Sequence, residues 1–131
     1  HFLLRRQRQM CIRDRSFRAT HRNARIAPRK ARLVADMIRG MNAAEALVAL
    51  EFSPQRAACY YKSVLKSAMA NAEEQDADSS RLEVFEVRVD EGPTMKRIHP
   101  KDRGRAHPIK KRTSHLHLVL AEPVTVPVEE A

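Results

Sequence analysis

Residues 91–112 read EGPTMKRIHPKDRGRAHPIKKR and set eight cations (Lys96, Arg97, Lys101, Arg103, Arg105, Lys110, Lys111 and Arg112) against two acids, Glu91 and Asp102. The sizeable aliphatic side chains of the stretch are Met95, Ile98 and Ile109. Burying unpaired cations is very costly, so such a segment stays out of a core. Hairpin loops usually run about two to five residues, so it is also too long for an ordinary turn. What it offers chemically is electrostatic grip. Guanidinium forks suit bidentate phosphate contacts, and ammonium groups act as point charges. Gly92, Pro93 and Gly104 permit tight bends and close approach. The hydroxyls of Thr94, Thr113 and Ser114 suit phosphate or 2′-OH groups. A solvated, disordered loop is the plain alternative. The strand-like runs on both sides and the Pro and Gly punctuation argue against it.

Other residue types that carry chemistry are weaker signals. His115 and His117 share one face of a strand at ligand-like spacing, but no third ligand is apparent, so surface or RNA-contacting imidazoles are the better reading. Cys59 has no neighbouring His or acid in sequence to activate it and reads as a buried or half-buried free thiol. Glu73 and Glu74, or Asp76 and Asp78, could imitate a carboxylate pair, but a polar helix end and loop make them solvated groups. There is no Gly-rich phosphate loop, nucleophile elbow or metal signature. The pattern points away from an enzyme and implies no cofactor and no metal.

Size and charge bound the partners. The chain has 131 residues, a net charge of +9 and a pI near 10.3, enough for one domain with a modest core. That balance makes nucleic acid or an anionic membrane surface the leading partner class. Aromatic residues are 5% with no Trp, so stacking on an aromatic platform is not the main binding mode. No apolar run approaches the roughly 18 residues that span a bilayer, so no membrane is expected. Two cysteines, Cys11 and Cys59, make no disulfide framework and fit a reducing cytosol.

The elements that must carry the basic segment follow from periodicity. Residues 1–16 are a leader whose run Met10-Cys11-Ile12-Arg13-Asp14-Arg15 resembles a translated sequencing adapter and is expected to be absent from the native protein; a basic RNA-binding arm is the other reading. Phe17 to Ile26 is an edge strand carrying Arg18, His21, Arg22 and Arg25. Pro28 opens a helix to Arg39 with Ala31, Val34, Ala35 and Ile38 on one face, and Gly40 stops it. Arg29, Lys30 and Arg32 crowd its first turn against the dipole, which is tolerable where anions sit. Asn42 to Glu45 is a capping box for a short helix to about Leu50. Ser53-Pro54 starts a long helix with Ala57, Tyr61, Val64, Leu65, Ala68, Met69 and Ala72 as its core stripe. Leu82 to Asp90 is a strand whose phase slips near Val84, as a bulge would cause, putting Phe85, Val87 and Val89 in the second phase. His115 to Glu122 alternates with Leu116, Leu118 and Leu120 inward. Residues 17–122 form one domain, and 123–131 form an acidic, Pro-containing tail. The two strands flanking the basic segment pair as a hairpin arm over about 88–116, and half its span at about 3.3 Å per residue gives a reach of roughly 40 Å.

Three stretches, RNARIAPRKARLVADMIRG (Arg22 to Gly40), SAMANAE (Ser67 to Glu73) and VDEGPTMKRIHPKDRGRAHPIKKRTSHLHLVL (Val89 to Leu120), resemble the large-subunit ribosomal protein 22 (L-twenty-two) family, bacterial type. The resemblance runs from about Ala19 to Glu122. It implies an α+β fold: a three-stranded antiparallel sheet packed with helices, plus a long protruding β-hairpin arm. It implies a structural constituent of the large ribosomal subunit that binds large-subunit rRNA, aids assembly and lines the nascent-peptide exit tunnel with its hairpin. Partners would be rRNA, neighbouring ribosomal proteins and the nascent peptide, in the cytoplasm on the ribosome and without homo-oligomerisation. Arg18, His21, Arg22, Arg25, Arg29, Lys30, Arg32, Lys96, Arg97, Lys101, Arg103, Arg105, Lys110, Lys111, Arg112, Thr113 and His115 become candidate RNA contacts. Met95, Lys96, Arg97, Ile98, His99 and Arg103 become candidate tunnel-lining residues, with MKR at a narrowing near where macrolides act. Ala27 stands where the family usually has Ser, and Asp102 and Pro108 depart from its neutral and basic residues. A free-standing nucleic-acid-binding regulator that uses the arm as a basic β-ribbon is the alternative.

Overall fold

The computed structural model describes residues 16–123; the leader to residue 15 and the tail from 124 lie outside them. In order the chain forms β1 (Ser16–Ala24), α1 (Pro28–Ile38), α2 (Ala43–Phe52), α3 (Arg56–Glu74), a 3₁₀ turn (Ser79–Arg81), β2 (Glu83–Glu91), β3 (Met95–Pro100), a second short turn (Asp102–Gly104), β4 (Ala106–Lys111) and β5 (Ser114–Ala121). The sheet order is β1-β5-β2, antiparallel throughout, and β3 and β4 form a separate two-stranded sheet. The α+β fold expected from the sequence is the fold observed, with β1 at an edge.

The helices bury one side of the three-stranded sheet because their apolar stripes and the sheet's inward residues meet. Ala31, Val34, Ala35 and Ile38 of α1 are buried, as are Ala57, Tyr61, Val64, Leu65, Ala68 and Ala72 of α3. Opposite them lie Phe17 and Ala19, Val87 and Val89, and Leu116, Leu118 and Leu120. The many Ala on α3 let it lie close on β1 and β5, while α1 covers β2. Gly40 adopts φ +81°, which suits a residue without Cβ, and its N–H donates to Val84 O at 3.1 Å.

Several local expectations need correction. α3 begins at Arg56 rather than at Pro54; Ser53 Oγ accepts from Gln55 N at 3.4 Å, so Ser53-Pro54 forms a turn ahead of the helix. The Asn42 side chain accepts from Ala44 N, so the cap is made as expected on that side. The β2 slip is a register shift between Val84 and Glu86, and it throws Phe85 outward, 72% exposed, instead of into the second inward phase with Val87 and Val89. An extra residue at a bulge reverses the facing of the strand beyond it, which is how Val84 and Val87 both reach the core. Cys59 is exposed, not buried or half-buried.

The arm is stranded nearly to its tip. Met95 pairs with Lys111, Arg97 with Ile109, His99 with His107 and Pro100 with Ala106. Lys101 N donates to Arg105 O, so alternate pairs below it exchange hydrogen bonds, and those between do not. Pro100 and Pro108 both fall at the non-bonded pairs, where a missing N–H costs nothing. The main sheet ends at the pair Glu91 and Ser114. The arm proper therefore starts at Gly92, and its ten residues to Lys101 reach about 30 Å, less than the 40 Å reckoned from Val89.

Candidate nucleic-acid interface

The foot of the arm is closed, and tied to the body, by short, buried polar contacts. The Thr113 hydroxyl, 3% exposed, donates to Pro93 O at 2.6 Å, and Gly92 N donates to Thr113 O, so the two legs of the arm are joined at its foot. The Ser114 hydroxyl, fully buried, donates to Ile26 O at 2.6 Å and ties that foot to the body. Both hydroxyls are thus used inside the protein, and Thr113, a candidate RNA contact by sequence, clasps the arm's two legs together. His115 Nδ1 accepts from Asn23 N at 3.1 Å, a further tie between β5 and the end of β1.

These ties hold the arm beside the start of α1, and a groove opens between them. Arg25 and Lys30 reach it from the body, and Arg97, Lys110, Lys111 and Arg112 from the arm. Arg56, at the start of α3, completes a rim of seven cations with no acid among the lining residues. Arg56 was missed by sequence reasoning, because it lies 26 residues beyond Lys30 and only folding brings it there. Ala27, at the N-cap of α1, gives no side-chain cap, and the first turn holds no acid. The positive end of the helix is therefore uncompensated beside a cationic rim. An anion at this place would relieve both charges.

The remaining candidates are distributed over the arm and body. Arg29 is exposed on the first turn of α1, Arg22 is exposed on β1, and Arg32 Nη2 donates to Val89 O at 3.4 Å. His21 packs edge-on to Tyr60, with ring centroids 5.5 Å apart. Lys96 stands opposite Lys110 on one face of the arm, above Ile98, which is 77% exposed. His99 lies opposite His107 on the other face. Lys101, Arg103 and Arg105 are exposed at the tip, where Arg103 takes φ 62°. Met95 is not at the tip. It is at the foot, half-buried, with Arg25 Nη1 donating to its Sδ at 2.7 Å.

The outer face of the main sheet has a different character. Arg88 lies between Glu86 (3.9 Å) and Asp90 (3.3 Å), and His117 Nε2 is 3.0 Å from Asp90 Oδ2. Thr20 Oγ1 meets His117 Nδ1 at 3.2 Å. His117 is thus engaged with protein groups, and among the described residues no group of three or more His, Cys, Asp or Glu could hold a metal. Arg18, another candidate, lines a small depression on this charge-balanced face with Glu86, Arg88 and His117. Among the described residues, unbalanced positive charge gathers on the groove and the arm.

Among the described residues no helix is long and apolar enough to cross a membrane. Residues 19–121 match the family model for ribosomal protein L22p/L17e, which covers most of the chain, and the chain belongs to that family. It is therefore a non-enzymatic, RNA-binding ribosomal protein with a structural role in the large subunit.

Proposed function

We propose that this L22p/L17e family member grips large-subunit rRNA with the groove at the foot of its arm and with the arm's cations, aids subunit assembly, and lines the nascent-peptide exit tunnel with the outer arm. The observation that carries the reading is the groove itself: seven cations from two helices' starts, the β1–α1 link and the arm, converging without an acid. Like charges gather at such density where phosphates neutralise them. The outer arm mixes cations with the exposed Ile98, as a wall between RNA and a moving peptide would. Neighbouring ribosomal proteins, a cytoplasmic ribosome, a monomeric chain and the bacterial type belong to the same proposal.

Salt dependence of rRNA binding tests it. Replacing Lys110, Lys111 and Arg112 with Ala flattens the log–log salt slope by about two to three units if all three meet phosphate. An unchanged slope would show that they do not. A free-standing regulator would leave the large subunit on sedimentation in salt; the proposed role keeps the chain with it.

A further inference from the structure

The groove at the foot of the arm has a rim and a floor of unlike chemistry. The rim is cationic, but Ile26, Ala27 and Met95 form an apolar floor. A site for phosphates alone has no use for such a floor. Its volume is about 530 Å³. That lies within the roughly 300–1,000 Å³ of small-molecule sites, room for one base and its sugar but not for a duplex. Arg25 lies against Met95, with Nη1 2.7 Å from Sδ. Guanidinium planes accept stacked bases as aromatic rings do, and this chain has few aromatic rings to offer.

We propose that this groove receives one unstacked nucleotide from a single-stranded RNA segment. The base lies on the surface made by Ile26, Met95 and Arg25, and the flanking phosphates meet Lys30, Lys110 and Arg112. This rests on the RNA-binding reading above and adds what part of the RNA the groove takes. A bulged or looped nucleotide fits, because its base is already out of the stack, whereas a paired base must first be extruded.

The test uses the full chain and a single-stranded oligoribonucleotide carrying a fluorescent adenine analogue, beside a blunt duplex of equal length in the same salt. The analogue's emission changes on binding, and the single strand binds about tenfold tighter than the duplex, as one base contact would give. Met95→Ser lowers single-strand affinity about three- to tenfold with an unchanged salt slope, and Met95→Leu, which restores the apolar floor and controls for folding, keeps the affinity. Equal binding of strand and duplex, with Met95→Ser silent, overturns the proposal and leaves a phosphate groove. Adenosine monophosphate displacing the oligomer at equal concentration overturns it in favour of a soluble nucleotide. Failure to bind any RNA removes the underlying RNA-binding reading as well.

Discussion

Lys96 and Lys110 stand directly opposite each other across the arm, at a pair that exchanges no backbone hydrogen bond. Side chains approach most closely at such pairs, and like charges there are destabilising. The free protein bears this repulsion, and bound phosphates would remove it. Lys96→Glu therefore stabilises the isolated chain by about 0.2–1 kcal/mol in thermal unfolding while weakening rRNA binding and flattening its salt slope. Opposite signs in the two measurements are the expected signature. A loss of stability would mean the repulsion is already relieved within the protein.

A Cβ added at Gly92 would lie 2.5 Å from Thr113 Oγ1. That oxygen is itself committed to Pro93 O, so it cannot yield without breaking the clasp. Gly92→Ala should cost about 1–3 kcal/mol by overpacking and should shift amide resonances at the foot of the arm more than those of the core. Denaturant unfolding and heteronuclear NMR read both effects.

Two buried hydroxyls have opposite value. Ser114 donates to Ile26 O, so Ser114→Ala strands a buried carbonyl and should cost about 1–3 kcal/mol. The Tyr61 hydroxyl is buried with no hydrogen-bond partner among the described residues, and burial pushes its phenol up from the ordinary value. Tyr61→Phe removes an unsatisfied group and should leave stability unchanged or raise it by up to about 1 kcal/mol. The urea midpoint should fall for Ser114→Ala and hold or rise for Tyr61→Phe.

The helices and the inward strand residues were legible because burial imposes a period on them. Ala31, Val34 and Ile38, or Leu116, Leu118 and Leu120, repeat at the spacing of their element. The arm's strands were less legible: both faces are exposed, so no alternation marks them, and only the pairing register shows that Pro100 and Pro108 fall at non-bonded pairs. The bulge was visible as a slip, but which residue it expels was not, and Phe85 went the unexpected way. The site was half legible. Charge marks the arm, whereas Arg56 and the apolar floor join it only through packing. Thr113 shows the reverse error, since a hydroxyl in a basic segment looks available until its burial is known.

The outer arm should shape the tunnel without holding the body together. Among the described residues, no core side chain lies between Val89 and Thr113, so shortening the arm removes nothing from the core. How it is shortened matters. Deleting Met95, Lys96 and Arg97 takes three residues from β3, an odd number, and would swap the facing of the β3 residues beyond the cut. It also removes Met95 from Arg25 and two lining residues from the groove. Replacing residues 98–108 with Asn-Gly is cleaner. It joins Arg97 to its partner Ile109 through a two-residue turn suited to a hairpin and keeps the foot. The replacement should leave thermal unfolding within about 0.5 kcal/mol of the parent chain and leave large subunits intact on sucrose gradients. Nascent-chain stalling or macrolide response should change, because the tunnel loses a wall segment. Missing large subunits would make the outer arm an assembly anchor. Normal subunits with unaltered stalling and drug response would take it off the tunnel's working surface.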